Sequence, residues 1–501
     1  MPQSSPTLLT PYGYSSGTCG YCSPAGKRSQ RSTSSKYGMV AEQMTPEFYQ
    51  MLIDRGWRRS GDYLYHPDMA RTCCPQYTIR LSSTNFKGNK KHRQVVNRFN
   101  RFLETGQKPG EAESSTTMNV EDKAQAVKGK GKGKGKGKGK SNESLKRDLS
   151  DDLHQYEIGY MQRDEEEMLA HRFETRLVPA KATSETFELY KSYQVAVHKD
   201  KPEKVTMRGF DRFLCGKTLI DTPIKYIDDV EREIRNGQLP KTYGQYHLLY
   251  KVDSQLIGIS VIDILPNCVS SVYFIWHPDW AWASLGKLSA LYEISLAGRI
   301  REKGIKGMEW VYMGYWIPDC QKMKYKSEYT PSELLDPGTN TFHPLDKTLE
   351  TFLVRNPKGY FPFTKVTSSQ STLDDDGRDA KESTGPDKDM IGPSDNPEEE
   401  SEEESEEESD EESPSTIPNP PPPGFEDVSR ITDEDIEDVL LLLGRNKYTK
   451  SGGKLIPISN LEFRNQQAMY TEIKEFLSAV GKDNVVSTSG EISGKAVLYL
   501  G

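Results

Sequence analysis

Four cysteines in two close pairs are the first residues in this sequence that could do chemistry. Cys19 and Cys22 form a Cys-x2-Cys pair, in which two thiolates can approach one metal while the backbone turns between them. Cys73 and Cys74 are adjacent, and adjacent side chains tend to diverge, which fits one tetrahedral zinc poorly. An iron–sulfur cluster, or a site that also uses His66, relaxes this constraint. The pairs predict a metal or cluster site, with burial of Cys73 or Cys74 as a small apolar side chain as the alternative.

Polar side chains inside apolar strand sequences are the second set of candidates. Asp263 lies just before Pro266, where a carboxylate could orient an attacking amine, bind a guanidinium bidentately or simply cap the turn. His247 and Tyr273 are candidates for proton transfer or positioning, although a single histidine in a strand is more often structural.

The sequence 277–288 predicts a loop followed by the start of a helix. Ser284 and Gly286 would stand at the helix N-terminus, where backbone N–H groups and the helix dipole favour a phosphate or a ribose. An ordinary helix start capped by Ser284 is the alternative.

The periodicity of apolar residues predicts the elements that must position these side chains. Strands are predicted at 76–81, 247–251, 256–264, 269–276, 308–317 and 495–500, and helices at 45–54, 284–303, 433–443 and 465–480. Strands and helices mixed in this order favour an α+β or α/β fold.

Shifts in composition divide the chain into six predicted segments. They are a disordered N-terminus (1–11), a cysteine-rich domain (12–105), a flexible Gly-Lys linker (106–150), a central domain (151–366), an acidic and Pro-rich disordered segment (367–423), and a C-terminal segment of helices and a strand that packs on the central domain (424–501).

The net charge of −8 comes mainly from the run 398–412, which holds twelve acids, and it is opposed by seven lysines that alternate with glycine from Lys128 to Lys140. The remainder is close to neutral, so nucleic-acid binding would need a local basic patch. Such a patch is predicted in Lys87–Leu103, where apolar residues at helical spacing would pack on the cysteine block. Lys91, Arg98 and Arg101 would then be displayed towards an RNA backbone, with an ordinary solvated helix as the alternative.

The cysteine count and the absence of long apolar runs indicate in which cellular compartment the protein is expected. Seven cysteines, an odd number, fit reduced thiols or metal ligands better than disulfides. No apolar run approaches the roughly 18 residues of a membrane helix. We therefore expect a monomer without a membrane partner, located in the cytoplasm and, as a second location, in the nucleus.

Longer motifs around these candidates resemble one family. The cysteine-rich part contains CGYC at 19–22, DRGWRRSG at 54–61 and TCCPQYTIR at 72–80. The central part contains GFDRFLC at 209–215, GQYH at 244–247, VIDILP at 261–266, SSVYF at 270–274, YMGYW at 312–316 and CQKMKYK at 320–326. These motifs resemble the N-terminal and C-terminal regions of eukaryotic arginyl-tRNA:protein transferases.

The resemblance implies an aminoacyltransferase (EC 2.3.2.8) that moves arginine from Arg-tRNA to the N-terminal amine of proteins beginning with Asp or Glu. This is the N-degron pathway, which leads to ubiquitin-dependent degradation. It also implies an acetyltransferase-like (GNAT-like) catalytic domain at 151–366. For Cys19, Cys22, Cys73 and Cys74 it implies an iron–sulfur cluster.

Acidic acceptors call for cations, and Arg212, Lys322, Lys324 and Lys326 are candidates. The coenzyme A form of the turn at Gly286 has Arg or Gln three residues before the glycine and Gly or Ala two after, whereas this chain has Ala283 and Leu288, so no coenzyme A is expected. The alternatives are an N-acetyltransferase of the same fold class and a non-catalytic, metal-dependent RNA-binding adaptor.

Overall fold

The computed structural model describes residues 6–22, 28–110, 149–161, 168–368, 416–443, 453–488 and 495–499. One of its two large β-sheets combines the two ends of the chain. Its strands are β1 (Thr7–Thr18), β2 (Ser32–Gln43), β3 (Arg58–Ser60), β4 (Tyr63–Pro67), β14 (Leu440–Leu443), β15 (Lys454–Pro457) and β16 (Ala496–Tyr499), in the order β15-β14-β16-β1-β2-β4-β3.

The second sheet forms the centre of the molecule. Its strands are β5 (Tyr77–Ser82), β6 (Phe173–Pro179), β7 (Thr222–Pro223), β8 (Thr242–Val252), β9 (Gln255–Ile264), β10 (Cys268–Trp276), β11 (Trp310–Trp316), β12 (Ser332–Asp336) and β13 (Thr341–Pro344). The order is β13-β12-β5-β11-β10-β9-β8-β6, and β7 pairs with β8. The predicted central strands are confirmed within a few residues.

The described helices surround these sheets. The α-helices are α1 (Pro46–Asp54), α2 (Lys90–Thr105), α3 (Leu149–His154), α4 (Ser184–Tyr193), α5 (Met207–Phe210), α6 (Glu231–Arg235), α7 (Leu285–Glu302), α8 (Gln321–Lys324), α9 (Lys347–Arg355), α10 (Phe363–Ser368), α11 (Asp433–Glu437) and α12 (Gln466–Val480). Two π-helical turns occupy Gln194–His198 and Asp211–Cys215, and 3-10 turns occupy Pro278–Ala283, Tyr325–Glu328, Val428–Arg430, Ile458–Asn460 and Lys482–Asn484. No described helix is long and apolar enough to span a bilayer.

The central sheet opens between β10 and β11. These neighbours are parallel, and their register runs only from Cys268 opposite Trp310 to Ser270 opposite Tyr312. Immediately afterwards β10 shifts register against β9 between Ser271 and Tyr273. A bulge of this kind bends and twists a strand. The two strands therefore part towards their C-terminal ends, beside the start of α7.

The sheets do not follow the predicted segment boundaries. Residues 7–11, predicted to be disordered, belong to β1, because Thr7–Leu9 pair with the C-terminal strand β16. Strand β5, from the predicted cysteine-rich domain, pairs with β11 and β12 of the central sheet. The C-terminal strands extend the first sheet. In each case a strand edge is satisfied by a partner distant in sequence, which composition does not reveal.

Two further expectations change. The predicted helix 433–443 ends at Glu437, and Leu440–Leu443 form a strand between β15 and β16, because a run of four leucines fits a doubly paired strand. Helix α2 packs on the core of the central sheet instead of the cysteine block, and Phe99 and Phe102 contact Trp280 edge-on or tilted. The linker at 111–148 and the acidic tract at 398–412 lie outside the described residues.

Candidate functional site

The four predicted cysteines come together at one point. Their sulfur atoms all lie within 4.8 Å of one another. The Sγ atoms of Cys22 and Cys73 are 3.7 Å apart, and those of Cys73 and Cys74 are 3.9 Å apart. The expectation that the adjacent pair would diverge is therefore wrong. The backbone explains the convergence, since the N–H of Cys73 is tied to the carbonyl of Thr33 on β2 at 2.9 Å.

Among the described residues, His66 is not one of the ligands grouped at this cysteine site. The Nε2 atom of His66 lies 3.1 Å from the carbonyl oxygen of Arg55, and its ring packs against Trp57 and Phe425. Burial lowers the pKa of His66 to about 4. A cation does reach the site, because the Nζ atom of Lys358 donates a hydrogen bond to the Sγ atom of Cys74 at 3.3 Å.

A cavity lies where β10 and β11 part. One wall is formed by the N-terminal half of α7, and other walls come from β10, β11, β3 and the turn after α8. Its lining is Tyr49, Arg58, Arg59, Tyr65, Ser270, Ser271, Val272, Gly286, Ser289, Ala290, Glu293, Met313, Gly314, Tyr315, Tyr325 and Lys326. Serine hydroxyls, three cations and one carboxylate thus converge on a gap in the central sheet.

Arg58 presents a buried guanidinium to the cavity. It donates to the carbonyls of Trp57 and Gly314 at 2.6 and 3.3 Å, and it lies over the rings of Tyr312 and Tyr315 at 5.6 and 5.2 Å. Its Nε–H is buried and has no hydrogen-bond partner among the described residues. A buried donor of this kind favours an anionic or carbonyl oxygen as an additional partner.

Arg59 and Asp263 form a buried ion pair beside the cavity. Arg59 donates through Nε and Nη2 to the two oxygens of Asp263 at 2.9 and 2.7 Å. The side chains are 2% and 0% exposed, so water cannot compete. The predicted bidentate guanidinium contact exists, but the guanidinium belongs to this chain. Asp263 therefore holds β3 against β9, and Ser270, its register partner on β10, lines the cavity.

Lys326 connects the cavity with the cysteine site. Its buried ammonium donates to the carbonyl of Tyr315 at 3.0 Å and to the sulfur of Met323 at 3.2 Å. Met323 is fully buried in a small cluster that also contains Cys19 and Cys74. The side chains that surround the cysteines therefore also support a cation of the cavity.

His247 is buried and does not belong to the described cavity lining. It is 1% exposed, and its Nε2 atom lies 3.1 Å from the carbonyl oxygen of Leu214. Burial lowers its pKa to about 4. Since an imidazole nitrogen facing a carbonyl must carry a proton, Nε2 is a donor here and the ring fastens the π-helical turn to β8.

Tyr273 lies in a different cluster from His247. Its hydroxyl is 3.2 Å from Oε1 of Gln194 and 3.4 Å from Nε2 of His198, both in a π-helical turn. The pKa of His198 is lowered to about 4 by burial and by the charge of Lys322. The structure thus brings Tyr273 and Lys322 to the same histidine, although neither residue belongs to the cavity lining.

The predicted helix start and the predicted basic helix are neighbours. Ser284 has a left-handed backbone with φ of 52°, and its side chain makes no cap. Its hydroxyl instead accepts a hydrogen bond from Nη2 of Arg98 at 2.7 Å. Gly286, two residues later, lines the cavity. The ordinary cap at Ser284 is therefore not formed, and α2 is fixed beside the entrance of α7.

The remaining predicted cations are more peripheral. Lys91 pairs with Glu328 at 2.7 Å, and Arg101 is exposed on the outer face of α2. Arg212 is exposed, Lys322 and Lys324 are half-buried, and none of the three belongs to the described cavity lining.

Three residues of the cavity were absent from the predicted set or underrated in it. Arg58 stands in the DRGWRRSG motif. A cation next to a tryptophan in that motif could have indicated a buried binding residue. Lys326 is one of the four cations that the sequence offers for an acidic acceptor. Glu293 interrupts an apolar helical face at seven residues from Gly286, a spacing that places both on one side of the helix.

Comparisons with known proteins match two separate parts of the chain. Residues 17–94 match the family described as "Arginine-tRNA-protein transferase, N terminus", and residues 185–336 match "Arginine-tRNA-protein transferase, C terminus". Arginyl-tRNA--protein transferase 2 of Arabidopsis thaliana is 27% identical over 515 residues, covering 77% of this chain and 82% of the relative.

Arginyl-tRNA--protein transferase 1 of Drosophila melanogaster is 30% identical over 426 residues, covering 69% of this chain and 84% of the relative. A shorter similarity, 42% over 86 residues, joins 17% of this chain to 34% of the aspartate/glutamate leucyltransferase of Stutzerimonas stutzeri (strain A1501). The chain belongs to the arginyl-tRNA--protein transferase family.

Proposed function

We propose that this chain is an aminoacyltransferase that transfers arginine from arginyl-tRNA to the N-terminal amine of proteins beginning with aspartate or glutamate, as in the N-degron pathway. The observation that carries the proposal is the cavity between β10, β11 and α7. This cavity is charged and partly enclosed, and it lies beside the N-terminal end of α7. That end of α7 adjoins the basic helix α2.

The reaction needs little beyond positioning. The acceptor amine attacks the ester carbonyl of arginyl-tRNA, a C–N bond forms, and the C–O bond to the terminal ribose breaks. One proton of the amine ends on the ribose oxygen. Because the ester is already activated, no covalent nucleophile is required, and holding the two reactants together can supply much of the acceleration.

Arg58 and Lys326 are the cations that we assign to the acceptor carboxylate. Both are buried in the cavity, and the buried Nε–H of Arg58 has no hydrogen-bond partner among the described residues. An acidic first side chain would accept a hydrogen bond from the Nε–H of Arg58, whereas alanine would leave that donor unsatisfied. This assignment replaces the more peripheral Arg212, Lys322 and Lys324.

Arginyl-tRNA would approach along α2. Lys91 and Arg101 lie on its exposed face, and Arg98 ties the helix to Ser284 at the entrance of α7. A backbone bound along this face would bring the aminoacyl end to Ser284 and Gly286. The turn from β10 into α7 also supports a GNAT-like assignment for the second sheet.

For the four cysteines we propose a single thiolate-bound metal ion. Sulfurs about 2.3 Å from one tetrahedral ion are separated by about 3.8 Å, close to the 3.7 and 3.9 Å found between neighbouring sulfurs. In a [4Fe–4S] cluster each cysteine binds a different iron, so the four sulfurs would have to spread. When bound, the ion would tie β1 to the segment between β4 and β5.

The decisive experiment is transfer of labelled arginine from charged tRNA to peptides that begin with Asp, Glu or Ala. We expect labelling of the Asp and Glu peptides and little labelling of the Ala peptide. Equal labelling of the three peptides would contradict the proposed acceptor specificity. Labelling of none of them would contradict the proposed enzymatic function. Acetyl transfer from coenzyme A, assayed on the same peptides, tests the N-acetyltransferase alternative.

A further inference from the structure

A lysine that is distant in sequence reaches the four cysteines of the proposed metal site. The Nζ atom of Lys358 donates a hydrogen bond to the Sγ atom of Cys74 at 3.3 Å, across 284 residues of sequence. Lys358 lies in the loop that joins α9 to α10. The residue as a whole is exposed, but its contact with the sulfur is partly buried. The structure therefore joins a cation to one of the candidate metal ligands by a charge-assisted hydrogen bond.

The loop that carries Lys358 is fixed to the central sheet by a buried carboxylate. Asp336 ends β12 and is 0% exposed. One of its oxygens accepts a hydrogen bond from the N–H of Phe363 at 2.9 Å, and the other accepts one from the hydroxyl of Tyr360. Because the backbone around Lys358 is already ordered by these bonds, its side chain loses less conformational freedom when it contacts the sulfur.

The same loop end packs against the segment that carries Cys74. Phe363 lies against Tyr77, with 5.4 Å between the ring centroids, and both side chains are 1% exposed. Tyr77 begins β5, three residues after Cys74. The distance between the loop and the cysteine is therefore set by a buried aromatic contact and not by the lysine itself. A substitution of Lys358 should leave this packing in place.

The charge of the proposed site explains what the lysine does there. Four thiolates around one divalent ion carry a net charge of about −2. Cys19 and Cys74 are almost fully buried, so water hydrates little of that charge. An ammonium bonded to one sulfur offsets part of it. Groups that donate hydrogen bonds to metal ligands also fix the orientation of those ligands and strengthen the binding of the metal.

We propose that Lys358 is a positioning residue of the metal site, which slows the release of the ion by offsetting the charge of the thiolates and by orienting Cys74. The inference rests on the metal ion proposed for the four cysteines, and it does not depend on the transferase reaction. It makes the loop between α9 and α10 a part of the site, in addition to the two segments that supply the thiolates.

The test measures how fast the full chain, loaded with zinc, releases the metal to an excess of a chelator. Lys358→Met removes the charge and keeps a side chain of similar length. Its release should be about tenfold faster than that of the unmodified chain, at the lower end of the losses typical of such groups, because Lys358 is partly exposed to water. The cobalt-loaded variant should keep the absorption of a tetrathiolate site, since all four ligands remain.

Two further variants separate the contact from the overall charge of the chain. Lys358→Arg keeps a cation near Cys74 and should release zinc nearly as slowly as the unmodified chain. Lys347→Met removes the charge of an exposed lysine at the start of α9 and should have no effect. Equal release rates in Lys358→Met and Lys347→Met would overturn the assignment, as would a Lys358→Arg variant that releases zinc as fast as Lys358→Met. An unmodified chain that binds no metal would remove the proposed site and this inference together, whatever its transferase activity.

Discussion

Arg59 and Asp263 are 204 residues apart in the sequence, yet they form a bidentate ion pair with distances of 2.7 and 2.9 Å. The pair connects β3 of the first sheet with β9 of the central sheet. Because both side chains are almost fully buried, each neutralises a charge that would otherwise be isolated from water.

The first prediction concerns the removal of one partner. Arg59→Ala should destabilise the chain by about 3–5 kcal/mol, because Asp263 would remain as a buried, unpaired charge. Urea unfolding followed by fluorescence measures this loss. Lys251→Ala breaks the more exposed pair with Glu185 and should cost about 1 kcal/mol or less. Similar losses in the two variants would contradict a special role of the buried pair.

Asp263 also shows what the sequence could and could not predict. Its position at the end of an apolar strand was recognised, and strands β8 to β11 were located within a few residues because their apolar runs are long. Its partner could not be found, since pairing across 204 residues leaves no local pattern. The local sequence therefore shows a carboxylate at the end of a strand, and only the fold shows that this carboxylate is paired with Arg59 of the other sheet.

The four cysteines also show what the sequence can and cannot predict about a site. Residue type and spacing were enough to predict a metal site at Cys19, Cys22, Cys73 and Cys74. The spacing could not show that the loop after β4 turns Cys73 and Cys74 in the same direction. That orientation depends on the contact of Cys73 with Thr33 of β2, and a sheet register of this kind is not readable from either strand alone.

The second prediction concerns metal content. Purified chain should contain one metal ion per molecule, and Cys22→Ser should lose it, as measured by elemental analysis of anaerobically prepared protein. Cys320→Ser is the matched control, because Cys320 packs beside Cys19 and Cys74 but is not one of the four grouped thiols. Two or more irons with equivalent sulfide in the unmodified chain would establish a cluster in place of a single ion.

The third prediction concerns acid stability and follows from His247. Its pKa is about 4 in the folded chain and about 6.5 when unfolded. Between these values the unfolded chain binds a proton that the folded chain does not, so stability is lost as the pH falls from 6.5 towards 4. The contribution is about 2 kcal/mol at pH 5. Unfolding free energies at pH 7 and pH 5 should differ less in His247→Gln, and an equal difference would argue against a buried neutral imidazole.

The fourth prediction separates the cavity lysine from the peripheral lysines. Lys326→Met should reduce transfer to Asp and Glu peptides mainly through a higher KM for the acceptor, because a buried cation facing the acceptor carboxylate is lost. Lys322→Met should have a small effect, since Lys322 lies outside the cavity lining. A larger effect of Lys322→Met than of Lys326→Met would instead assign the acceptor carboxylate to Lys322.

The fifth prediction concerns tRNA and the exposed face of α2. Lys91→Glu combined with Arg101→Glu should weaken binding of charged tRNA and make its salt dependence shallower, by about 0.7 to 0.9 in logarithmic slope for each phosphate contact removed. Arg98 is left intact, because its bond to Ser284 also holds the helix in place. Transfer at saturating tRNA should remain nearly normal, since neither changed residue lines the cavity.

A matched control is available at the other end of α7. Arg232→Glu combined with Arg235→Glu changes the net charge equally on helix α6, which is bonded to the segment just after α7 through Glu233 and Lys303 at 3.1 Å. Helix α7 has 18 residues and is therefore about 27 Å long, so this surface is well separated from Ser284. If α2 binds the tRNA backbone, only the α2 variant should alter affinity and salt slope together. Equal effects of both variants would mean that tRNA responds to the overall charge of the chain and not to a site on α2.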